Sequence, residues 1–156
     1  MINFNLSIGD VAMSSKKASY TCFGLGSCIG LFIQDRVEQL SAGAHIFLPE
    51  DEKGLQENDK FYNAKHAIDE ILNQLKSAGS TLQTLRAKVT GGANVAGLNS
   101  QTGERNAESV LRYLIENKIY VAAVDVGGTH SRTARFESET GLLTVKTSQN
   151  NNYKTY

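Results

Sequence analysis

IGLFIQDRVEQLSAGAHIF, residues 29–47, sets two apolar runs on either side of the charged connector DRVEQ. Ile29–Gln34 and Leu40–Leu48 are short and rich in branched and aromatic residues, the composition of strands. A connector this brief and polar returns the chain directly, so the two runs read as an antiparallel hairpin. Centring the turn between Arg36 and Val37 sets Leu31 opposite Ala42 and Cys28 opposite His45. Directly opposed residues carry Cβ atoms only about 4.5–5.5 Å apart. The hairpin therefore brings a thiol within reach of an imidazole.

Working outward, further strands are predicted at Ala18–Leu25, Leu85–Thr90, Tyr120–Val126, Thr133–Glu137 and Leu142–Lys146, each bounded by Gly, Asp, Asn or Ser. One long helix is predicted from Asn58 to about Ala78. Asn58 or Asp59 would cap it, and Phe61, Ala64, Ile68, Ile71, Leu72 and Leu75 form one apolar stripe. Gly79 supplies the left-handed stop, and His66 points off the stripe toward solvent. A second helix, about Glu104–Asn117, would bury Ala107, Val110, Leu111, Leu114 and Ile115. Many strands with two main helices read as an α+β fold, a sheet-rich core with the helices packed outside. The closing stretch, TSQNNNYKTY over 147–156, is polar and reads as a loose tail.

Composition narrows the function. A chain of 156 residues is one domain by size, and 40% hydrophobic with 21% charged residues is the balance of a globular protein. Sixteen basic and sixteen acidic side chains leave no net charge to attract a polyanion, which argues against nucleic acid. No stretch approaches the roughly 18 apolar residues of a membrane span, and MINFNLSIGD lacks the basic and apolar regions of a secretory signal. Two cysteines without an export signal point to reduced thiols in the cytoplasm. His45, His66 and His130 lie far apart, and no metal-ligand spacing occurs, so neither metal nor cofactor is expected.

The chemistry of the hairpin pair follows from its residue types. A neighbouring imidazole can take the proton of a thiol and leave a nucleophilic thiolate, with Cys28 as nucleophile and His45 as base. Gly24 and Gly26 let the backbone approach a substrate, and the amides of Ser27 and Cys28 can face an oxyanion. A buried inert thiol beside a histidine held by a backbone carbonyl is the competing reading. The paired glycines Gly91–Gly92 and Gly127–Gly128 open the backbone beside the site, with Gly92, Asn94, Thr129 and His130 as substrate-proximal candidates. Their alternative is tight turns that need positive φ, and for the glycines this is preferred. Glu104, at the start of the second helix, suits the helix dipole better than chemistry.

The segments LGSC (25–28), AGAHIFLP (42–49), VTGGAN (89–94), TGERN (102–106), DVGGTHSR (125–132) and GLLTVK (141–146) resemble, in order, those of CheD, the chemoreceptor glutamine deamidase family of bacterial chemotaxis. The resemblance runs from about Ile8 to Lys146 and implies a single deamidase domain over residues 1–146. It implies a cytoplasmic cysteine hydrolase that converts glutamine side chains of methyl-accepting receptors to glutamate with release of ammonia. Cys28 matches the family's nucleophile and His45 its base. The fold implied is an α/β sandwich like that of glutamine-deamidating toxins, and a CheC-type chemotaxis phosphatase is implied as a second partner. A regulatory binding module without catalysis is the alternative, and acyl transfer to an amine is a third.

The family's third catalytic residue, a threonine, falls here on Cys22, with Thr21 one position earlier. One step along a strand reverses the facing of a side chain. Either a bulge before Gly24 turns Thr21 inward, or a backbone carbonyl near residues 21–22 holds the His45 ring. The bulge, with Thr21 as orienting group, is the expected arrangement.

Overall fold

Leu31 stands opposite Ala44, and Gly30 opposite His45, in the ladder between β4 (Ile29–Asp35) and β5 (Leu40–Ile46). The hairpin of the sequence reading is present, but its register lies two residues from the expected one. The turn explains the shift. Asp35 Oδ1 accepts from the amides of Val37 and Glu38, and Gln39 takes φ 56°, which closes a longer loop than assumed. Because the shift is even, every side chain keeps its face.

The computed structural model describes residues 1–47, 49, 60–95, 101–149 and 152–156. Among the described residues, ten strands form two five-stranded sheets. One joins β1 (Ile2–Asn5), β3 (Ala18–Leu25), β8 (Arg132–Glu137), β9 (Leu142–Thr147) and β10 (Tyr153–Thr155), in the order β1-β3-β8-β9-β10. The other joins β2 (Val11–Ser14) and β7 (Tyr120–Val126) to the hairpin and to β6 (Leu85–Gly91), in the order β2-β5-β4-β6-β7. Both sheets are mixed, since β1 runs parallel to β3 and β6 parallel to β7. The helix between β6 and β7, α2 (Thr102–Glu116), makes the crossover that a parallel pair requires.

Every residue of β4 and β5 is buried, because both faces of this sheet are covered. Ile29, Leu31 and Ile33 pack toward α1 (Ala64–Ser77) and α2, with Ala42, Ala44 and Ile46 from β5. Cys28 and Phe32 pack the other way, against Tyr20, Cys22 and Phe136 of the facing sheet. Phe32 stacks on Phe136 at 5.7 Å between ring centroids. Each fully buried side chain of this size contributes about 1.5–3 kcal/mol relative to exposure. The α+β expectation with helices outside holds. His45, on the same face as Gly43, therefore looks into the layer between the sheets, as Cys28 does.

The helix α1 buries Ala64, Ile68, Ile71, Leu72 and Leu75 as its spacing predicts, and Gly79 follows it at φ 114°. Its cap is Asn63, whose side chain accepts from the His66 amide at 2.8 Å. The expected caps Asn58 and Asp59 lie outside the described residues. A start near Phe61 is prevented by backbone pairing of Phe61 with Gly9 and of Tyr62 with Phe47. In α2, Ile115 is 66% exposed, contrary to the expected stripe, and Gly103, Asn106 and Ser109 are buried instead. Nor is the C-terminal stretch wholly a loose tail. Residues 153–155 pair with β9, Tyr156 exchanges backbone bonds with Leu143, and its hydroxyl donates to Asp125 at 2.8 Å.

Candidate functional site

Cys28 sits between the end of β3 and the start of β4, where the chain must pass from one sheet to the other. Gly24 takes φ 61° in this passage, a conformation L residues rarely adopt. Three successive carbonyls of the loop are then held from three directions. Gly26 O accepts from the Ala93 amide at 2.8 Å, Ser27 O from Asn106 Nδ2 at 2.9 Å, and Cys28 O from the Gly92 amide at 2.9 Å. Among the described residues, neither the Ser27 nor the Cys28 amide donates a hydrogen bond. The loop thus has pinned carbonyls and free donors, the polarity an oxyanion site requires.

Gly91 makes this packing feasible. It has φ 111°, and a Cβ there would lie 2.2 Å from Cys28 O. Gly103 does the same for α2, whose first turn rests on the carbonyls of Gly92 and Ala93, 2.6 and 2.5 Å from where a Cβ would be. The segments VTGGAN and TGERN, far apart in sequence, are therefore the two supports of the LGSC loop.

His45 is 5% exposed and projects from β5 on the same side as Cys28. Its Nδ1 is 2.9 Å from the carbonyl of Leu6. A carbonyl can only accept, so Nδ1 carries the hydrogen and Nε2 presents a lone pair. Nε2 is buried and has no partner among the described residues. Burial pushes the His45 pKa below its ordinary range, against smaller opposing effects of the Leu6 carbonyl and the Asp10 charge, so the ring is neutral at pH 7. Burial also pushes the Cys28 thiol up to about 11, so it rests as a thiol. Both residues line one cleft of about 480 Å³, together with Leu6, Ile8, Phe23 and Gly24. The cleft thus holds a protonated thiol and an unprotonated imidazole nitrogen.

The third position differs from expectation. The ladder between β3 and β8 does shift between Cys22 and Leu25, but beyond Thr21, which stays paired with Arg135. Thr21 lines a depression on the outer face of its sheet with Asn5, Phe23 and Arg135, away from His45. Cys22 is fully buried behind the site in the same core cluster as Cys28. The ring is held by a carbonyl instead, and from Leu6 rather than residues 21–22. Thr21 participates through its backbone, its carbonyl accepting from the Leu6 amide at 2.8 Å.

Gly92 and Asn94 line a different cavity, of about 960 Å³, bounded by α2 and by Val126, Gly127 and Gly128. Thr129 and His130 border neither cavity. The paired glycines of both loops have positive φ, as the tight-turn reading requires. Arg132 binds the two loops together, donating to Gly91 O and Gly127 O at 3.2 and 2.8 Å. Sequence reasoning missed Leu6 and the bracing roles of Asn106 and Arg132. Only the last two left a signal, as the closing residues of TGERN and GGTHSR. Among the described residues, no cluster of three His, Cys, Asp or Glu side chains is arranged to hold a metal ion, and no helix is long and apolar enough to cross a membrane.

A family model described as CheD chemotactic sensory transduction matches residues 47–147. A relative from Halalkalibacterium halodurans named chemoreceptor glutamine deamidase CheD is 38% identical over 132 residues, 80% of each chain. One of the same name from Thermotoga maritima is 32% identical over 144 residues, covering 90% of this chain and 89% of its own. A crystal structure of Neisseria meningitidis protein NMB0706 overlays 76% of this chain and 52% of its own at 12% identity, with a TM-score of 0.40, too low to assign a shared fold.

Proposed function

The chain belongs to the CheD family, and from that premise we propose that it hydrolyses selected glutamine side chains of chemotaxis receptors to glutamate through a Cys28–His45 thiol mechanism. The observation that carries this reading is the shared cleft, which Cys28 and His45 line together and in which the His45 Nε2 lone pair has no hydrogen-bond partner among the described residues. Cys28 Sγ attacks the carboxamide carbon as Nε2 takes the thiol proton. With the thiol at about 11, transfer accompanies attack instead of preceding it. The amides of Ser27 and Cys28 receive the oxyanion. The tetrahedral adduct collapses with a proton from His45 to the departing nitrogen, which leaves as ammonia. Water, deprotonated by His45 Nε2, then opens the thioester to glutamate, and that proton returns to Cys28 Sγ to restore the thiol. No cofactor takes part.

In this reading the described residues, β10 included, form a single deamidase domain with a cysteine-hydrolase architecture of the deamidase-toxin kind, working in the cytoplasm. Ile8 and Phe23, 44% and 62% exposed at the mouth of the cleft, give an apolar rim suited to the surface of a receptor helix. A CheC-type phosphatase is a second partner in the same reading. The test is intact mass of a receptor cytoplasmic fragment after incubation with the wild type and with Cys28→Ala. Each deamidation adds about one mass unit and releases one ammonia. A gain with wild type and none with Cys28→Ala is expected. No gain with the wild type supports the binding-module alternative, and an equal gain with both rejects the nucleophile.

A further inference from the structure

Asn106 is fully buried in the second turn of α2, and both hydrogens of its amide are engaged. Nδ2 donates to Ser27 O at 2.9 Å and to Phe47 O at 3.0 Å, while Oδ1 is buried without a partner among the described residues. One acceptor carries the peptide that leads into the nucleophile. The other lies two residues past the base. An orphaned buried acceptor calls for an explanation, because it weakens the fold. What the side chain supplies is its two donors.

From this geometry we infer that Asn106 is a positioning residue that sets the plane of the Ser27–Cys28 peptide and so aims the Cys28 amide at the oxyanion. The inference rests on the deamidase reading above. A trans peptide is planar, with its C=O and N–H pointing in opposite directions. Fixing Ser27 O toward α2 therefore fixes the Cys28 N–H away from it, and a hydrogen bond to the carbonyl also strengthens that N–H as a donor. The neighbouring carbonyls, Gly26 O and Cys28 O, are held independently by Ala93 and Gly92. Without Asn106 the loop stays anchored at both sides, and only the peptide between the anchors is free to rotate. The thiol keeps its place and the oxyanion donor loses its aim.

That separation is measurable on the full chain. Acylation by glutamine needs the oxyanion donor, whereas alkylation of Cys28 by iodoacetamide forms no oxyanion. Asn106→Ala is expected to lower kcat for a receptor fragment by about 10–100-fold, less than the loss of a whole oxyanion donor. KM and the alkylation rate should stay within about twofold of wild type. Asn106→Asp is isosteric, and its introduced carboxyl can donate only when protonated, so its kcat relative to wild type should rise as pH falls. Unchanged kcat in Asn106→Ala, or kcat and alkylation falling together, overturns the inference. If Asn106→Ala does not fold, the pH dependence of Asn106→Asp decides, and a flat ratio overturns it. Loss of the folded state in both variants makes Asn106 merely structural and also overturns it. Activity surviving in Cys28→Ala would instead reject the deamidase mechanism, which distinguishes the two failures.

Discussion

Gly91→Ala places a methyl group against the carbonyl of Cys28, the proposed nucleophile. The added Cβ would lie 2.2 Å from Cys28 O, 3.2 Å from its carbon and 3.3 Å from Ile29 Cα. Ordinary contact requires a retreat of roughly 1 Å, a displacement large enough to cost about 100-fold in rate at a catalytic group. Gly91 cannot supply that movement, because its own carbonyl is held by the Gly127 amide at 3.0 Å and by Arg132. The Cys28 loop must move instead. The φ of 111° adds about 1–3 kcal/mol of backbone strain in alanine, and losing the Gly92 bond to Cys28 O adds about 0.5–1.5 kcal/mol. Urea unfolding should therefore show a loss of about 2–4 kcal/mol, with kcat/KM for a receptor fragment down about 100-fold. Gly127→Ala is the control. Its φ is 91°, but nothing lies within 4 Å of its added Cβ, so it should lose stability with little change in kcat. Gly91→Ala within about threefold of wild-type kcat/KM, or no worse than Gly127→Ala, would refute the backbone contact as what places the nucleophile.

Iodoacetamide should label Cys28 and spare the fully buried Cys22, with the rate still climbing above pH 9 because burial raises the Cys28 thiol to about 11. Peptide mapping that finds Cys22 first, or a plateau near pH 8.5, contradicts this. His45 is held neutral by burial, so its folded pKa lies below the 6.5 of the exposed ring, and the unfolded chain takes up a proton first as pH falls. The stability this group contributes is therefore present above about pH 6.5 and is lost below it. The urea midpoint should drop more steeply below that pH in the wild type than in His45→Gln, and equal slopes would refute the assignment. Thr21→Ala should keep kcat within about twofold, since its hydroxyl lies on the outer face of the sheet. A loss of tenfold or more with folding intact would require the hydroxyl to reach His45.

Much of this site was legible because period-2 alternation is insensitive to an even slip. The observed hairpin register differs by two residues from the expected one, so Cys28 and His45 still share a face, and Gly30, which stands opposite His45, brings no side chain between them. The residues of β3, β6 and β7 were equally plain, being short runs with branched or aromatic residues that end at or beside a glycine. Other features leave little trace in residue type. Strands β1 and β2 are four-residue edge strands, too short to show alternation. The Leu6 carbonyl that orients His45 belongs to the backbone, which every residue shares. Asn106 and Gly103 are buried for hydrogen bonding and close approach, so a stripe drawn through apolar residues alone rotated α2 toward Ile115. Thr21 was sought by analogy of side chain, where the fold uses its carbonyl.

The Leu6 carbonyl also ties the proposed site to an edge of its sheet. β1 pairs with β3 alone, and most of its residues are exposed. Edge segments of this kind open locally at a free energy well below that of global unfolding. When residues 2–6 detach, the sandwich can persist while the imidazole loses its acceptor and turns among unproductive rotamers. The measured turnover is then the intrinsic rate multiplied by the fraction of molecules in which this segment is seated. Amide hydrogen exchange at Leu6, which reports its bond to Thr21, becomes a gauge of how much of a preparation is ready to react. A fusion partner joined ahead of Ile2 is correspondingly an intervention at the proposed site.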